Sequence, residues 1–167
     1  MNKIKTFLLL VAIIGSVYIA TAQDRKEKFN AFLYTDGVAT TKDGFNIGGG
    51  VEYSMTTMYF KSQIFVFPNL NGKTYTELTG VPLGFNWWVG EKDRYRLFGG
   101  TKMGFIFRDS NTYPTIGVDF GLDYNINEIW FVGFAGDYML RQDGRIWSYA
   151  SKDYWRLSGF VRFGYRW

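Results

Sequence analysis

The sequence predicts an all-β fold, an eight-stranded antiparallel up-and-down barrel whose strands cross a membrane. Three observations predict it. Aromatic residues make up 20% of the chain, and glycine occurs 20 times against 3 prolines, a composition of strands and tight turns. From Phe29 onward apolar and polar side chains alternate with a period of two, the signature of strands with two different faces. The polar parity is rich in glycine, at Gly48, Gly50, Gly104, Gly117, Gly121, Gly133 and Gly164. A solvated exterior would favour Lys, Glu and Thr. The narrow interior of a small barrel needs small residues beside long charged ones.

Composition excludes whole classes of chemistry. The 167-residue chain has no Cys and no His. Disulfides, Cys- or His-ligated metals, Ser-His-Asp and Cys-His catalysis and a histidine pH switch are therefore ruled out. The formal charge is +4, and half of it comes from Lys3 and Lys5. No basic run remains that could track nucleic acid. No catalytic, cofactor-binding or metal-binding residue is expected, and no cofactor.

Residues 1–22 read as a cleaved secretory signal peptide. Asn2, Lys3 and Lys5 form a positive head, Phe7 to Ile14 is continuously apolar, and Ala20 and Ala22 are the small residues that precede cleavage. That run is shorter than the roughly 20 residues a spanning helix needs. Residues 23–28 are a short polar leader, and 29–167 form the barrel domain.

The first strand runs from about Phe29 to Gly37, before a polar loop with Thr40, Thr41, Lys42, Asp43 and Gly44. The second, Phe45 to Ser54, sets Phe45, Ile47, Val51 and Tyr53 against Glu52. After a turn at Met55-Thr56, the third sets Met58, Phe60, Ile64 and Val66 against Lys61 and Gln63. Pro68 to Lys73 is a turn by composition. In the fourth, Thr74 to Val89, Glu77 shares a parity with Val81, Leu83, Phe85 and Trp87. Glu77 is therefore expected near the upper interface, where a charge costs little. Pro82 cannot donate a ladder hydrogen bond, so a local bulge is expected there.

Gly90 to Asp93 turns the chain into the fifth strand, Arg94 to Arg108, where Tyr95, Leu97, Met103, Phe105 and Phe107 oppose Arg96 and Lys102. After Asp109-Ser110-Asn111 comes the sixth, Thr115 to Tyr124. It alternates Ile116, Val118, Phe120, Leu122 and Tyr124 with Asp119 and Asp123. The seventh, Ile129 to Arg141, sets Trp130, Val132, Phe134, Tyr138 and Leu140 against Ala135 and Asp137. The loop from Gln142 to Asp153 is the longest and carries Trp147 and Tyr149. Short turns follow strands two, four and six. Short periplasmic turns, longer outer loops and periplasmic termini are expected.

The closing strand, Tyr154 to Trp167, has one parity of Trp155, Leu157, Gly159, Val161, Phe163, Tyr165 and Trp167. The other parity holds Arg156, Ser158, Phe160, Arg162, Gly164 and Arg166. Arginine facing lipid costs roughly 2–4 kcal/mol at the bilayer midplane, so the arginines are expected inside. Val161, Phe163, Tyr165 and Trp167 look like the C-terminal insertion signal of Gram-negative outer-membrane barrels. That resemblance implies recognition by the barrel-assembly machinery. Residues 29–167 resemble the small eight-stranded outer-membrane barrels of the OmpX and OmpA-transmembrane type. The resemblance implies a porin-like cell-envelope protein, monomeric and surrounded by outer-membrane lipid. In one respect the chain departs from the OmpA proteins: no peptidoglycan-binding domain is expected after Trp167.

The inward set is Glu52, Lys61, Gln63, Arg96, Lys102, Asp119, Asp123, Asp137, Arg156, Arg162 and Arg166. Both signs are present, so a salt-bridge and hydrogen-bond network filling the lumen is expected. Asp119 and Asp123 lie two inward positions apart, too far to share a proton. Trp87, Tyr95, Tyr124, Trp130, Tyr138, Trp155, Tyr165 and Trp167 cluster near strand ends as an interfacial girdle. Asn46 to Gly50 is not a phosphate loop, because no Lys-Ser/Thr follows. It reads as lumen space.

The expected function is non-enzymatic: envelope integrity, or adhesion through the outer loops to an extracellular ligand. Three alternatives stay open. One is a soluble periplasmic lipocalin-like barrel holding an apolar ligand, and another is a narrow pore. The third is a lipid-modifying barrel, although the enzymes this chain resembles in form depend on histidine.

Overall fold

The computed structural model describes residues 28–70, 72–108, 110–141 and 154–167. The signal segment, residues 23–27 of the leader, and the loop bearing Trp147 and Tyr149 lie outside the described residues. In chain order the elements are β1 (Lys28–Thr35), α1 (Gly37–Asp43), β2 (Ile47–Ser54), β3 (Met58–Leu70), β4 (Lys73–Val89), β5 (Tyr95–Arg108), β6 (Asn111–Asn125), β7 (Trp130–Arg141) and β8 (Tyr154–Arg166), with a 3₁₀ turn at Glu91–Asp93. Each strand pairs antiparallel with the next, and β1 pairs with β8 to close an eight-stranded barrel.

Exposure alternates along the strands with the parity of the sequence. In β6, Ile116, Val118, Phe120 and Leu122 are exposed while Thr115, Asp119 and Asp123 are buried. Over the span where β1 pairs with β8, from Asn30↔Arg166 to Thr35↔Val161, closure leaves no sheet edge, as hydrocarbon requires.

The β4 expectation needs correcting at Glu77 and Val81. Both are buried on the lumen side with Tyr75 and Thr79, while Leu83, Phe85 and Trp87 face out. The parity changes at a bulge. Tyr59 pairs with Gly84 but Lys61 with Val81, and Gly80 pairs with Met103 but Leu83 with Thr101. One extra β4 residue around Pro82 therefore opposes both neighbouring strands. A one-residue insertion moves everything beyond it to the other face, so a single parity cannot describe the whole strand.

The polar loop after β1 is also corrected, because it folds as α1. The Asp36 carboxylate accepts a hydrogen bond from the Ala39 backbone N–H at 2.8 Å, a helix N-cap. Asn46 holds the helix down. Its Oδ1 accepts from the Asp36 N–H at 2.8 Å, and its Nδ2 donates to Thr40 Oγ1 at 2.9 Å. Asn46 thus anchors α1 at the barrel mouth, whereas the sequence read it as lumen space.

Loop lengths at the end remote from the termini differ from expectation too. Residues 71–72 alone separate β3 from β4, and residues 109–110 separate β5 from β6. The polar residues that read as loop continue the ladders instead. β4 and β6 have 17 and 15 residues, whereas β1 and β2 have 8 each. The wall is therefore tall over β3–β6 and low at β1 and β2.

Candidate functional site: the filled lumen

Strand pairing stacks the lumen-facing residues in tiers. Nearest the termini, Arg166 Nε donates to Asn30 Oδ1 at 2.7 Å and Arg166 Nη1 to Asn125 Oδ1 at 2.8 Å. Asn30 in turn donates to Glu52 at 2.9 Å. Beside them Asn86 accepts from Arg96 Nε at 2.8 Å and donates to Ser54 and to the Met55 and Met58 carbonyls. This side chain ties the β2–β3 turn to the charged tier.

In that tier, Arg96 lies 2.6 Å from Glu52 and 3.1 Å from Asp123. Arg162 lies 3.4 Å from Asp123 and 3.6 Å from Glu52. Its guanidinium also sits over the rings of Phe32, Phe98 and Phe131 at 4.4, 5.0 and 5.0 Å. Two cations meet two anions with all four side chains buried, so the charges offset one another where water does not.

Higher up, Lys61 pairs with Asp119 at 2.5 Å, and the Tyr59 hydroxyl donates to the same carboxylate at 2.9 Å. Lys102 bridges Glu77 at 2.9 Å and Asp137 at 2.5 Å, with the Tyr75 hydroxyl donating to Glu77. Gln63 is buried as well, opposite Thr79 of β4. Asp119 and Asp123 hold separate ion pairs, so they do not form an acid–base couple. Arg156 departs from the expected network. It is half-buried and has no hydrogen bond or ion pair among the described residues.

Above the charges the lumen is aromatic, which parity reasoning missed. Tyr34, Phe65, Phe67, Tyr75 and Phe160 pack together with Leu70 and Ile106. Phe65 meets Phe67 and Phe160 edge-on at 5.1 and 5.4 Å. The signal was present in the inward glycines. Phe32 stands opposite Gly50, Tyr34 opposite Gly48, Tyr59 opposite Gly84, Phe98 opposite Gly121 and Phe131 opposite Gly164. Each ring occupies the space that a Cβ on its glycine would need. An inward aromatic facing a glycine in the next strand is the rule that would have found them.

On the outer surface all eight girdle residues are exposed. Trp87, Tyr95, Tyr124, Trp130, Tyr165 and Trp167 lie toward the termini end, while Tyr138 and Trp155 stack at the other, with ring centroids 5.0 Å apart. Val161 and Phe163 extend the same apolar face of β8. Large apolar side chains thus cover the outside while Arg96, Arg162, Lys102, Glu52 and Asp123 are buried within. That inversion of polarity belongs to a protein whose solvent is hydrocarbon. The chain is a transmembrane β-barrel.

No family model and no curated protein matches this barrel. Among solved structures it is similar to Neisserial surface protein A, with a TM-score of 0.51 and 11% identity over 84% of this chain and 95% of that one. It is similar as well to the N-terminal β-barrel domain of Pseudomonas aeruginosa OprF, with a TM-score of 0.50 and 15% identity over 84% and 96%. At these identities the likeness is one of fold.

Proposed function

We propose that the barrel is a monomeric integral outer-membrane protein without catalytic activity. On this reading it maintains the envelope or contacts the cell's surroundings through the end remote from its termini. The observation that carries the reading is the self-neutralised lumen beneath an aromatic cap. Glu52, Asp123, Asp119, Glu77 and Asp137 are each matched to a buried Arg or Lys, leaving little for a substrate to engage. The signal-like N-terminus and the closing aromatic strand support export and insertion by the barrel-assembly machinery. The exposed apolar exterior counts against the soluble lipocalin-like alternative.

The test is extraction and gel mobility. The protein should leave the envelope only with detergent, and its unboiled form should migrate differently from the boiled one. Recovery in the aqueous periplasmic fraction, with no mobility change on boiling, would end the membrane reading.

A further inference from the structure

The barrel wall is incomplete on one side of β8. β1 pairs with β8 from Asn30↔Arg166 to Thr35↔Val161 and then gives way to α1. β7 continues to pair with β8 as far as Arg141↔Tyr154. From Tyr154 to Phe160, β8 therefore has a strand partner on one edge only. α1 packs beside the other edge, with Asp36 and Ala39 buried there. A cavity of about 900 Å³ opens at this notch. From the notch it runs across the wall: Arg156, Leu157 and Gly159 line it from β8, Phe134 from β7, Leu122 from β6 and Leu97 from β5, with Asp36 and Ala39 at the α1 end.

Three features of the notch point to one kind of occupant. A Cβ placed at Gly159 would meet nothing within 4 Å, so the floor of the apolar part is open. Its walls, Phe134 and Leu157, are 68% and 67% exposed, the highest values among the large apolar side chains. At the loop end of the same cavity stands Arg156, a half-buried cation without a partner among the described residues. The neighbouring Trp155 stacks on Tyr138, and such pairs sit at headgroup level. The acidic neighbour, Asp36, is committed to capping α1. Because β8 lacks a partner on this edge, a headgroup beside the barrel can reach Arg156. A second protein strand is less well accommodated, because α1 already stands along the edge.

We propose that this notch binds one lipid of the outer leaflet, a phosphorylated and multiply acylated glycolipid. Its phosphate meets Arg156, and one acyl chain lies over Gly159 between Phe134 and Leu157. The site rests on the outer-membrane orientation argued above, which places Arg156 in the outward leaflet. A guanidinium gives a phosphate paired, charge-assisted hydrogen bonds.

Native mass spectrometry of the full mature protein in a non-ionic micelle tests this. The probes are bisphosphorylated lipid A, its dephosphorylated form and phosphatidylglycerol. Wild type should retain one bisphosphorylated lipid A in preference to the other two. Retention should fall roughly tenfold in Arg156→Gln, the loss of one charge-assisted contact. It should fall comparably in Gly159→Leu, which fills the groove. Arg156→Gln should also cease to distinguish the phosphorylated from the dephosphorylated probe. Equal binding by wild type and both variants, equal retention of phosphatidylglycerol, or a dimer displacing the lipid would each overturn the proposal. Flotation with liposomes and heat-dependent mobility report separately on the membrane reading. A protein that passes both yet binds lipid A no better than its variants refutes the lipid site alone.

Discussion

At the scale of single residues, the lumen depends on setting buried carboxylates against buried cations and rings against glycines. Glu52 faces both Arg96 and Arg162, at 2.6 and 3.6 Å, and Asp123 faces the same two cations. Replacing one carboxylate leaves two arginines sharing the other. A buried charge without compensation costs about 3–5 kcal/mol, so Glu52→Gln should lower unfolding stability by that order in urea titrations of the refolded protein. The double variant Glu52→Leu with Arg162→Met should recover most of the loss, because an apolar pair of similar volume costs nothing to desolvate. A single-variant loss under about 1 kcal/mol would mean that the charges are solvated. The glycines obey the same spatial logic. Gly164 is small because the Phe131 ring lies over it.

At the scale of elements, the three prolines mark the places where the ladder is interrupted or ends. Pro82 sits in the β4 bulge that turns Glu77 and Val81 inward. Deleting Pro82 would restore simple alternation along the strand, and the half bearing Glu77 would turn to lipid if Leu83, Phe85 and Trp87 stayed out. The deletion variant should therefore fail to show the compact unboiled gel band, whereas Pro82→Ala, which keeps the residue count, should retain it. Pro68 and Pro114 guard the tall part of the wall. β3 extends beyond its last pair with β2, Ile47↔Val66, and β6 beyond its last pair with β7, Gly117↔Met139. Each of these stretches, paired on one edge only, carries a proline, which withholds an N–H and discourages another chain from adding a strand.

At the scale of the whole molecule, the barrel is closed twice along its axis. The ion pairs fill the middle, and Tyr34, Phe65, Phe67 and Phe160 fill the lumen above them. An ion entering from the loop end would have to displace packed rings and then break the pair between Lys102 and Asp137. Purified protein in planar bilayers should accordingly be electrically silent at moderate voltage. Stepwise, reproducible conductance would show that the lumen opens as a pore. The outer surface is uneven as well, with a tall β3–β6 wall facing low β1 and β2 capped by α1. Among the described residues, the β3–β4 and β5–β6 hairpins belong to the tall side of the wall.

Alternation was enough to establish the strands, their number and the side on which Arg162 or Asp119 lies, because hydrocarbon penalises a misplaced charge on any single strand. It could not show that Glu77 turns inward, since a bulge is defined only against the neighbouring strands. Nor could it show that Phe32 and Phe98 face inward, because a ring there is tolerable only where the adjacent strand presents glycine. Which carboxylate meets which arginine, and where β1 stops short of β8, depend on register. Register is a property of pairs of strands, and only the closed barrel determines it.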